Sequence, residues 1–471
     1  MIPIREYAGR DVAVFGLGRT GLSAAKALAA GGARVHAWDD NEVTRARAES
    51  EGVTLSDINK RDWQTFAALV LSPGVPYKFP QPHRIVRMAE MVGVPVVGDM
   101  ELFARAVQAL PERGRPKIVG ITGTNGKSTT TALIGHILKE AGRDARVGGN
   151  IGTGVLDMAA LHGNATYVLE LSSYQLDLVK SLHCDVAVFL NLSPDHLDRH
   201  GGLDGYIDAK KRIFQNQTPG DTAVIGADDK VTQALAMSPS ARGLAKLIQV
   251  SSQFALGRGV CAIGGSLFET LTGKSERVGD LSGAPALMGR HNHQNAAAAY
   301  AACRALGVEP SIIMAAIQSF PGLAHRLEIV GQQGKVRFIN DSKATNAQAA
   351  EQALRAFNKV YWIAGGQAKS DGVDALKPHY NNVAKAYLIG EAQDIIASSI
   401  GDAAPFVRCG SIDKAVRAAY EDASRSGEEA VVLLSPACAS FDQFRDFEAR
   451  GDAFRAEVEA LVGAPGLLES A

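Results

Sequence analysis

Pro116-Lys-Ile-Val119-Gly120-Ile-Thr-Gly123-Thr124-Asn125-Gly126-Lys127-Ser128-Thr129-Thr130 is the stretch on which the fold turns. Pro116–Val119 leads a strand, the glycines and hydroxyls make a loop, and Ala132–Ala141 has helical composition. Strand, glycine loop and helix in succession form the unit of a parallel α/β sheet. The backbone N–H groups of such a loop, here Gly123, Thr124, Asn125 and Gly126, cradle phosphate oxygens. Lys127 can reach the β- and γ-phosphates, and the Ser128 or Thr129 hydroxyl can hold Mg²⁺. The spacing is Gly-x-x-Gly-Thr-x-Gly-Lys-Ser, with Ile121 where the standard loop has its first glycine. An ATPase or ATP-dependent enzyme is the leading class.

Outward from this loop, short β-branched runs alternate with Ala/Leu-rich helical stretches over almost the whole chain, the pattern of parallel α/β proteins. The 471 residues suggest roughly three domains. Polar, Pro/Gly/Arg-marked breaks at Leu110–Pro116 and Pro321–Arg326 set expected boundaries: 1–106, 107–321 and 322–471. Gly273–Gly283 reads as a β-rich insert or sheet edge, and Gly463–Ala471 as a frayed end.

Composition excludes several classes. Apolar residues are 46% and charged residues 21%, so the chain can build several cores. Lys+Arg is 49 against 50 Asp+Glu, a net charge of −1, which argues against nucleic-acid or anionic-membrane partners. No apolar run reaches the roughly 18–20 residues that span a bilayer. The five scattered cysteines lack any C-x-x-C spacing. Together with a first segment that has no apolar signal core, they predict a reducing, cytoplasmic setting.

A second glycine loop lies near the start. The strand Asp11–Phe15 runs into Gly16-Leu-Gly18-Arg19-Thr20-Gly21, then a helix, then a strand ending at Asp39, 18 residues past Gly21. The glycines let the backbone approach a diphosphate, and the acid can take a ribose hydroxyl. The physics fits NAD and UDP-linked ligands alike. Further along, Thr166–Leu171 reads as a strand carrying Glu170, placed to coordinate Mg²⁺ beside the phosphate loop. Ser193-Pro194 reads as the cap and first residue of a short helix. That would put His196 and His200 on one face, with His200 toward solvent. Without the H-E-x-x-H glutamate a zinc site is not expected. On composition alone Lys210 reads as an exposed helical lysine, and Lys343 and Lys369 as surface lysines.

These residues resemble the Mur ligase family of ATP-dependent amide-forming enzymes. The resemblance is carried by Gly120–Thr130, by Glu170 with Ser172-Ser173-Tyr174-Gln175, and by Asn191-Leu-Ser-Pro-Asp195-His196-Leu-Asp198-Arg199-His200. Arg290–Asn295 and His325-Arg326 extend it. Asn340–Asn346 and Leu434–Phe444 resemble the D-glutamate-adding branch. The resemblance implies three domains: an N-terminal Rossmann-like domain, a central P-loop ATPase-like parallel sheet and a C-terminal Rossmann-like domain. It implies ATP, two Mg²⁺ ions, and UDP-N-acetylmuramoyl-L-alanine and D-glutamate as substrates of a monomeric enzyme.

It also implies roles. Gly16, Gly18, Arg19, Thr20, Gly21, Asp39, Ser72, Pro73 and Asn150 would hold the sugar nucleotide. Lys127 would sit on the ATP phosphates, Asn292 and Asn295 on the adenine, with Arg326 as a further ATP contact. Ser128 and Glu170 would serve one Mg²⁺, His196 and a carbamylated Lys210 the second. Lys343, Thr345, Lys369, Ser440 and Phe447 would form the D-glutamate pocket, the lysines pairing its carboxylates. The rivals are another amide ligase of the family such as a folylpolyglutamate synthase, an NAD-dependent oxidoreductase, and a non-catalytic nucleotide switch.

Overall fold

Runs such as Phe66–Leu71 and Val360–Gly365 are apolar at every position and buried at all but Ala67, which fits strands covered by helices on both faces. The computed structural model describes residues 1–239, 243–368 and 372–462, so Lys369 and Gly463–Ala471 lie outside the described residues. No helix among those described is long and apolar enough to cross a membrane.

The first sheet holds β1 (Asp11–Phe15), β2 (Arg34–Trp38), β3 (Phe66–Leu71) and β4 (Val96–Val97), all parallel, in the order β2-β1-β3-β4. The helix after β1 spans Arg19–Ala30 and buries its small residues Gly21, Ser23, Ala24 and Ala25. The Gly31-Gly32 pair ends it, Gly32 at φ +90°.

The second sheet is built from β5 (Lys117–Thr122), β6 (Asp144–Gly149), β7 (Ala165–Glu170), β8 (Val186–Phe189) and β9 (Thr222–Gly226). It continues through β10 (Lys246–Ser251), β11 (Gly259–Ile263), β12 (Ser266–Glu269) and β13 (Glu276–Asp280). The order is β13-β12-β11-β10-β9-β8-β5-β7-β6. Pairing is parallel except where β11, β12 and β13 run antiparallel, the β-rich edge expected near Gly273–Gly283. One continuous core joins the first two sheets, from Val12 and Leu28 through Phe103 and Tyr167 to Ile225.

The third sheet holds β14 (Glu328–Gln333), β15 (Val336–Asn340), β16 (Val360–Gly365), β17 (Val383–Ile389), β18 (Phe406–Gly410) and β19 (Ala430–Leu434). Its order is β14-β15-β19-β16-β17-β18, with only β14 antiparallel to its neighbour. Separate apolar clusters centred on Trp362 and on Phe338 cover it. By compactness the chain forms two units. One is Met1–Gly283 with Gln294–Ser319; the other is Ala284–His293 with the chain from Phe320 onward.

Candidate active site

In the second sheet β5 lies between β7 and β8, so strand order reverses on either side of it. Ligands of open α/β sheets bind at such a switch point, beyond the carboxyl ends of the strands. The loop after β5 occupies that place. Gly126, at φ +83°, caps the helix Lys127–Glu140, which starts five residues earlier than composition suggested. A Cβ on Gly126 would lie 2.2 Å from Asn295 Oδ1, so the glycine lets the buried Asn295 amide approach the loop.

Lys127 Nζ folds back and donates to the carbonyls of Gly123 (2.9 Å) and Thr124 (2.8 Å). The loop is held from the other side by the segment after β8. Asn191 Oδ1 accepts from Asn125 N, its Nδ2 donates to Asn125 O, and Thr124 Oγ1 donates to Ser193 O. Tyr206 OH lies 3.2 Å from Thr124 Oγ1, and burial pushes its phenol up to about 12. Ser128 is buried in the first helical turn, and Thr129 is half-buried beside it.

Lys210 is not the exposed lysine that composition suggested. It is 1% exposed, with Nζ 2.8 Å from the same Gly123 carbonyl and 4.7 Å from the centre of the Tyr206 ring. Burial first, and the Lys127 ammonium second, pull its pKa well below that of a free lysine. Two amines therefore converge on one carbonyl oxygen, and the buried one is biased toward its neutral, nucleophilic form.

Glu170 ends β7 and is 3% exposed. Its Oε1 accepts from Asn150 Nδ2 at 2.7 Å, while Oε2 is buried without a hydrogen-bond partner among the described residues. An unpartnered buried carboxylate oxygen is costly unless something else satisfies it. A hard divalent cation is the partner that fits, since Mg²⁺ takes one or two protein carboxylates and completes its shell with water and phosphate.

The segment after β8 differs from expectation. The helix covers only Leu197–His200; Ser193 and Pro194 precede it in the loop. His196 is its N-cap in the left-handed region (φ +53°), so it does not share a helical face with His200. Its ring is exposed and lies 5.1 Å from that of Tyr174. His200 does not face solvent. It is buried, with Nε2 2.9 Å from Ser173 Oγ and Nδ1 3.1 Å from Asp177 Oδ2. This has the order of a Ser-His-Asp relay, but Ser173 is itself 4% exposed and closed to substrate.

The first glycine loop follows β1, which likewise has neighbours on both sides. Gly16 has φ +86°, and a Cβ on Gly21 would stand 1.7 Å from Gly16 O; Gly18 faces open space. Thr20 Oγ1 and Ser72 Oγ are 3.3 Å apart. Asp39 is engaged internally, its carboxylate accepting from Leu17 N and Asn41 N. Arg19 donates to the carbonyls of Asn150 and Gly152, linking this loop to the end of β6. Pro73 presents its carbonyl to Arg199 at 3.5 Å.

In the third sheet β19 lies between β15 and β16, and the segments following all three share one edge. Lys343 Nζ sits 3.8 Å from the centre of the Phe447 ring, and its backbone N–H donates to His325 O. Thr345 N–H donates to Lys343 O. Ser440 is buried in the segment after β19. Arg326 sits between two left-handed residues, His325 (φ +61°) and Leu327 (φ +45°). Asn292 is buried, with Nδ2 donating to Met288 O.

Read alone, the sequence assigns no role to Asn191, to the Ser173–His200–Asp177 chain or to Arg450, although Asn191, Ser173 and His200 stand within its motifs. The last had a signal. Arg450, Gly451, Phe454 and Val458 lie at helical spacing, so a charge sits on a stripe that is otherwise apolar.

Comparison with known proteins matches residues 121–303 to the Mur ligase middle domain and residues 325–438 to the Mur ligase glutamate ligase domain. A UDP-N-acetylmuramoylalanine–D-glutamate ligase of Caulobacter vibrioides is 57% identical over 99% of both chains. One from Rhizobium meliloti is 47% identical over 99% of this chain and 100% of its own. Among solved structures, a UDP-N-acetylmuramate–alanine ligase of Thermotoga maritima shares the fold at 18% identity and TM-score 0.58, covering 96% of this chain and 99% of that one. MurF from Acinetobacter baumannii does so at 17% identity and TM-score 0.58, covering 98% and 93%.

Proposed function

Since the chain belongs to the Mur ligase family, we infer that it joins D-glutamate to UDP-N-acetylmuramoyl-L-alanine at the expense of ATP, a step of peptidoglycan precursor synthesis. The likeness over the whole chain carries the choice of substrates. Within the site, the buried, unpartnered Glu170 Oε2 beside the phosphate loop carries the phosphoryl chemistry.

Joining a carboxylate to an amine needs a better leaving group than oxide. The L-alanyl carboxylate takes the γ-phosphoryl group of ATP, giving an acyl phosphate and ADP. The D-glutamate amine then attacks the acyl carbon, loses a proton and expels phosphate. Carboxylate, triphosphate and intermediate are all anionic, so the site must offset their repulsion. Lys127 does so from the loop, exchanging its bonds to Gly123 and Thr124 for phosphate oxygens. Gly123, Thr124, Asn125, Gly126 and Thr129 present the loop, while Asn292 and Asn295 bind the adenine and Arg326 also contacts ATP.

Mg²⁺, when bound, neutralises phosphate charge and aligns the in-line transfer. We assign Ser128 and Glu170 to one ion and His196 and Lys210 to a second. As an ammonium Lys210 would repel the ion, whereas its neutral amine is suited to take up CO₂, losing a proton to leave a carbamate whose anionic oxygen can ligate. Gly16, Gly18, Arg19, Thr20, Gly21, Asp39, Ser72, Pro73 and Asn150 are assigned to the sugar nucleotide. Lys343, Thr345, Lys369, Ser440 and Phe447 are assigned to D-glutamate. The division into 1–106, 107–321 and 322–471, a monomeric state and a cytoplasmic location complete the proposal.

The test is phosphate release from ATP and Mg²⁺ with UDP-N-acetylmuramoyl-L-alanine, with D-glutamate, L-glutamate or neither. Release is expected only with the sugar nucleotide and D-glutamate together. Equal release with L-glutamate, or none with either, refutes the substrate assignment. Lys127→Ala should lower turnover about 100- to 1000-fold with an unchanged melting temperature. Near-normal turnover in that variant would refute the loop's role.

A further inference from the structure

Arg450 lies in the first turn of the helix Phe447–Val462 and is 1% exposed. Every hydrogen bond of its guanidinium goes to a neutral oxygen. Nε donates to Ser342 Oγ (3.0 Å) and Nη2 to Ser342 O (2.9 Å). Nη1 is shared among the carbonyls of Gly365 (3.3 Å), Cys438 (3.1 Å) and Ala439 (3.2 Å). Burial pulls its pKa down to about 10, which leaves it charged at neutral pH.

The acceptors belong to three different strand ends. Ser342 follows β15, Gly365 closes β16, and Cys438 and Ala439 follow β19. The first and last of these segments carry Lys343, Thr345 and Ser440, which are assigned to the D-glutamate pocket. Ser342 precedes Lys343, and Ala439 precedes Ser440. Ser342 Oγ also donates to Phe447 O at 2.8 Å, and the Phe447 ring lies under the Lys343 ammonium. One planar fork thus sets the spacing of Lys343, Ser440 and Phe447 by holding the backbone beside each of them. A guanidinium can do this because its five N–H groups have fixed directions; an ammonium cannot hold the same set.

A buried cation is normally paired with an acid or eliminated. Here the negative ends of four carbonyl dipoles turn toward it, and the Asp442 carboxylate acts on its charge from nearby. We propose that Arg450 is the positioning residue of the amino-acid pocket, fixing the three strand-end segments. The proposal rests on the reading of this edge as the D-glutamate site.

The test uses the full chain and steady-state phosphate release, with KM measured separately for D-glutamate, ATP and the sugar nucleotide. Arg450→Lys keeps the charge and loses the fork. It should raise KM for D-glutamate about tenfold or more, with the other two KM values within about twofold of wild type. Ser342→Ala removes only the hydroxyl between Arg450 and Phe447, and should raise KM for D-glutamate about threefold. It decides the matter alone if Arg450→Lys does not fold. Unchanged KM for D-glutamate, or an equal rise in all three, overturns the proposal. Absence of D-glutamate-dependent release by the wild-type chain instead overturns the substrate reading on which the proposal stands.

Discussion

Lys210 shows how a residue can serve activity at the expense of stability. Its amine is buried with only Gly123 O and Thr122 Oγ1 as acceptors among the described residues, and its protonated form is disfavoured by burial and by Lys127. An unfolded lysine titrates near 10.4, so below that pH the unfolded chain holds a proton that the folded chain resists. Stability contributed by this group therefore rises with pH and its penalty vanishes above about 10.4. Lys210→Met keeps the length and removes the amine. It should stabilise the chain by about 1–3 kcal/mol at pH 7, less at pH 10, and abolish turnover. Urea melts at the two pH values, with an activity assay, check this. Asp99 carries the opposite sign. Burial pushes its carboxyl up to about 6, its Oδ1 has no partner among the described residues, and the bond from Gln175 Nε2 is long at 3.4 Å. The folded chain keeps this proton between about pH 4 and 6 where the unfolded chain has lost it. Stability thus falls as pH rises through that window, and the full penalty holds above it. Asp99→Asn should gain about 1–2 kcal/mol at pH 8 and nothing at pH 4; an equal gain at both would refute the titration.

At the scale of elements, the two glycines of the first loop separate fold from ligand. Gly21→Ala would drive a methyl to 1.7 Å from Gly16 O, so the strand–helix turn must open at a cost of about 2 kcal/mol or more. A methyl at Gly18 meets nothing within 4 Å. Gly18→Ala should leave the melting temperature within about 2 °C of wild type while weakening UDP-N-acetylmuramoyl-L-alanine binding at least tenfold, because the backbone there must approach the diphosphate. Unchanged binding, measured by calorimetry, would place the diphosphate elsewhere. These elements were legible because strand, loop and helix announce themselves by period and composition within one short window. The strand and loop at Gly120–Thr130 and the strand ending at Glu170 are read in this way, while the expectation for Glu170 itself draws on the loop beside it. What failed was whatever depends on partners far away in sequence. His200 reads as polar and solvent-facing until Ser173 and Asp177 fold against it. Lys210 reads as exposed until β5 and its loop cover it. The αL backbone of His196, a residue with no glycine's freedom, was likewise invisible, since tertiary bonds on both sides of the segment impose it.

For the molecule as a whole, the question is how the loops proposed for the sugar nucleotide and the side chains proposed for metal, on two sheets of one core, act together. Two arginines connect them. Arg19 of the first glycine loop donates to Asn150 O, and Asn150 Nδ2 donates to Glu170 Oε1. Arg199 donates to Gly74 O at 3.1 Å and lies 4.7 Å over Tyr174, whose ring also meets His196. Pro73, Val75 and Tyr77 face Tyr174, Asp177 and Arg199 across a small pocket, so the contact is packed as well as hydrogen-bonded. A ligand that orders the 72–77 segment must therefore bias the position of His196, and a metal on His196 must bias that segment equally, since binding linkage is reciprocal. Sugar nucleotide should tighten a non-hydrolysable ATP analogue with Mg²⁺ about fivefold or more in the wild-type chain. Arg199→Ala should cut that factor about threefold, leaving the Arg19 route to carry the remainder. Calorimetric titration of the analogue with and without saturating sugar nucleotide measures the factor directly. An equal factor in both proteins would mean that the Arg199 contact holds the two sheets together without transmitting anything between their ligands.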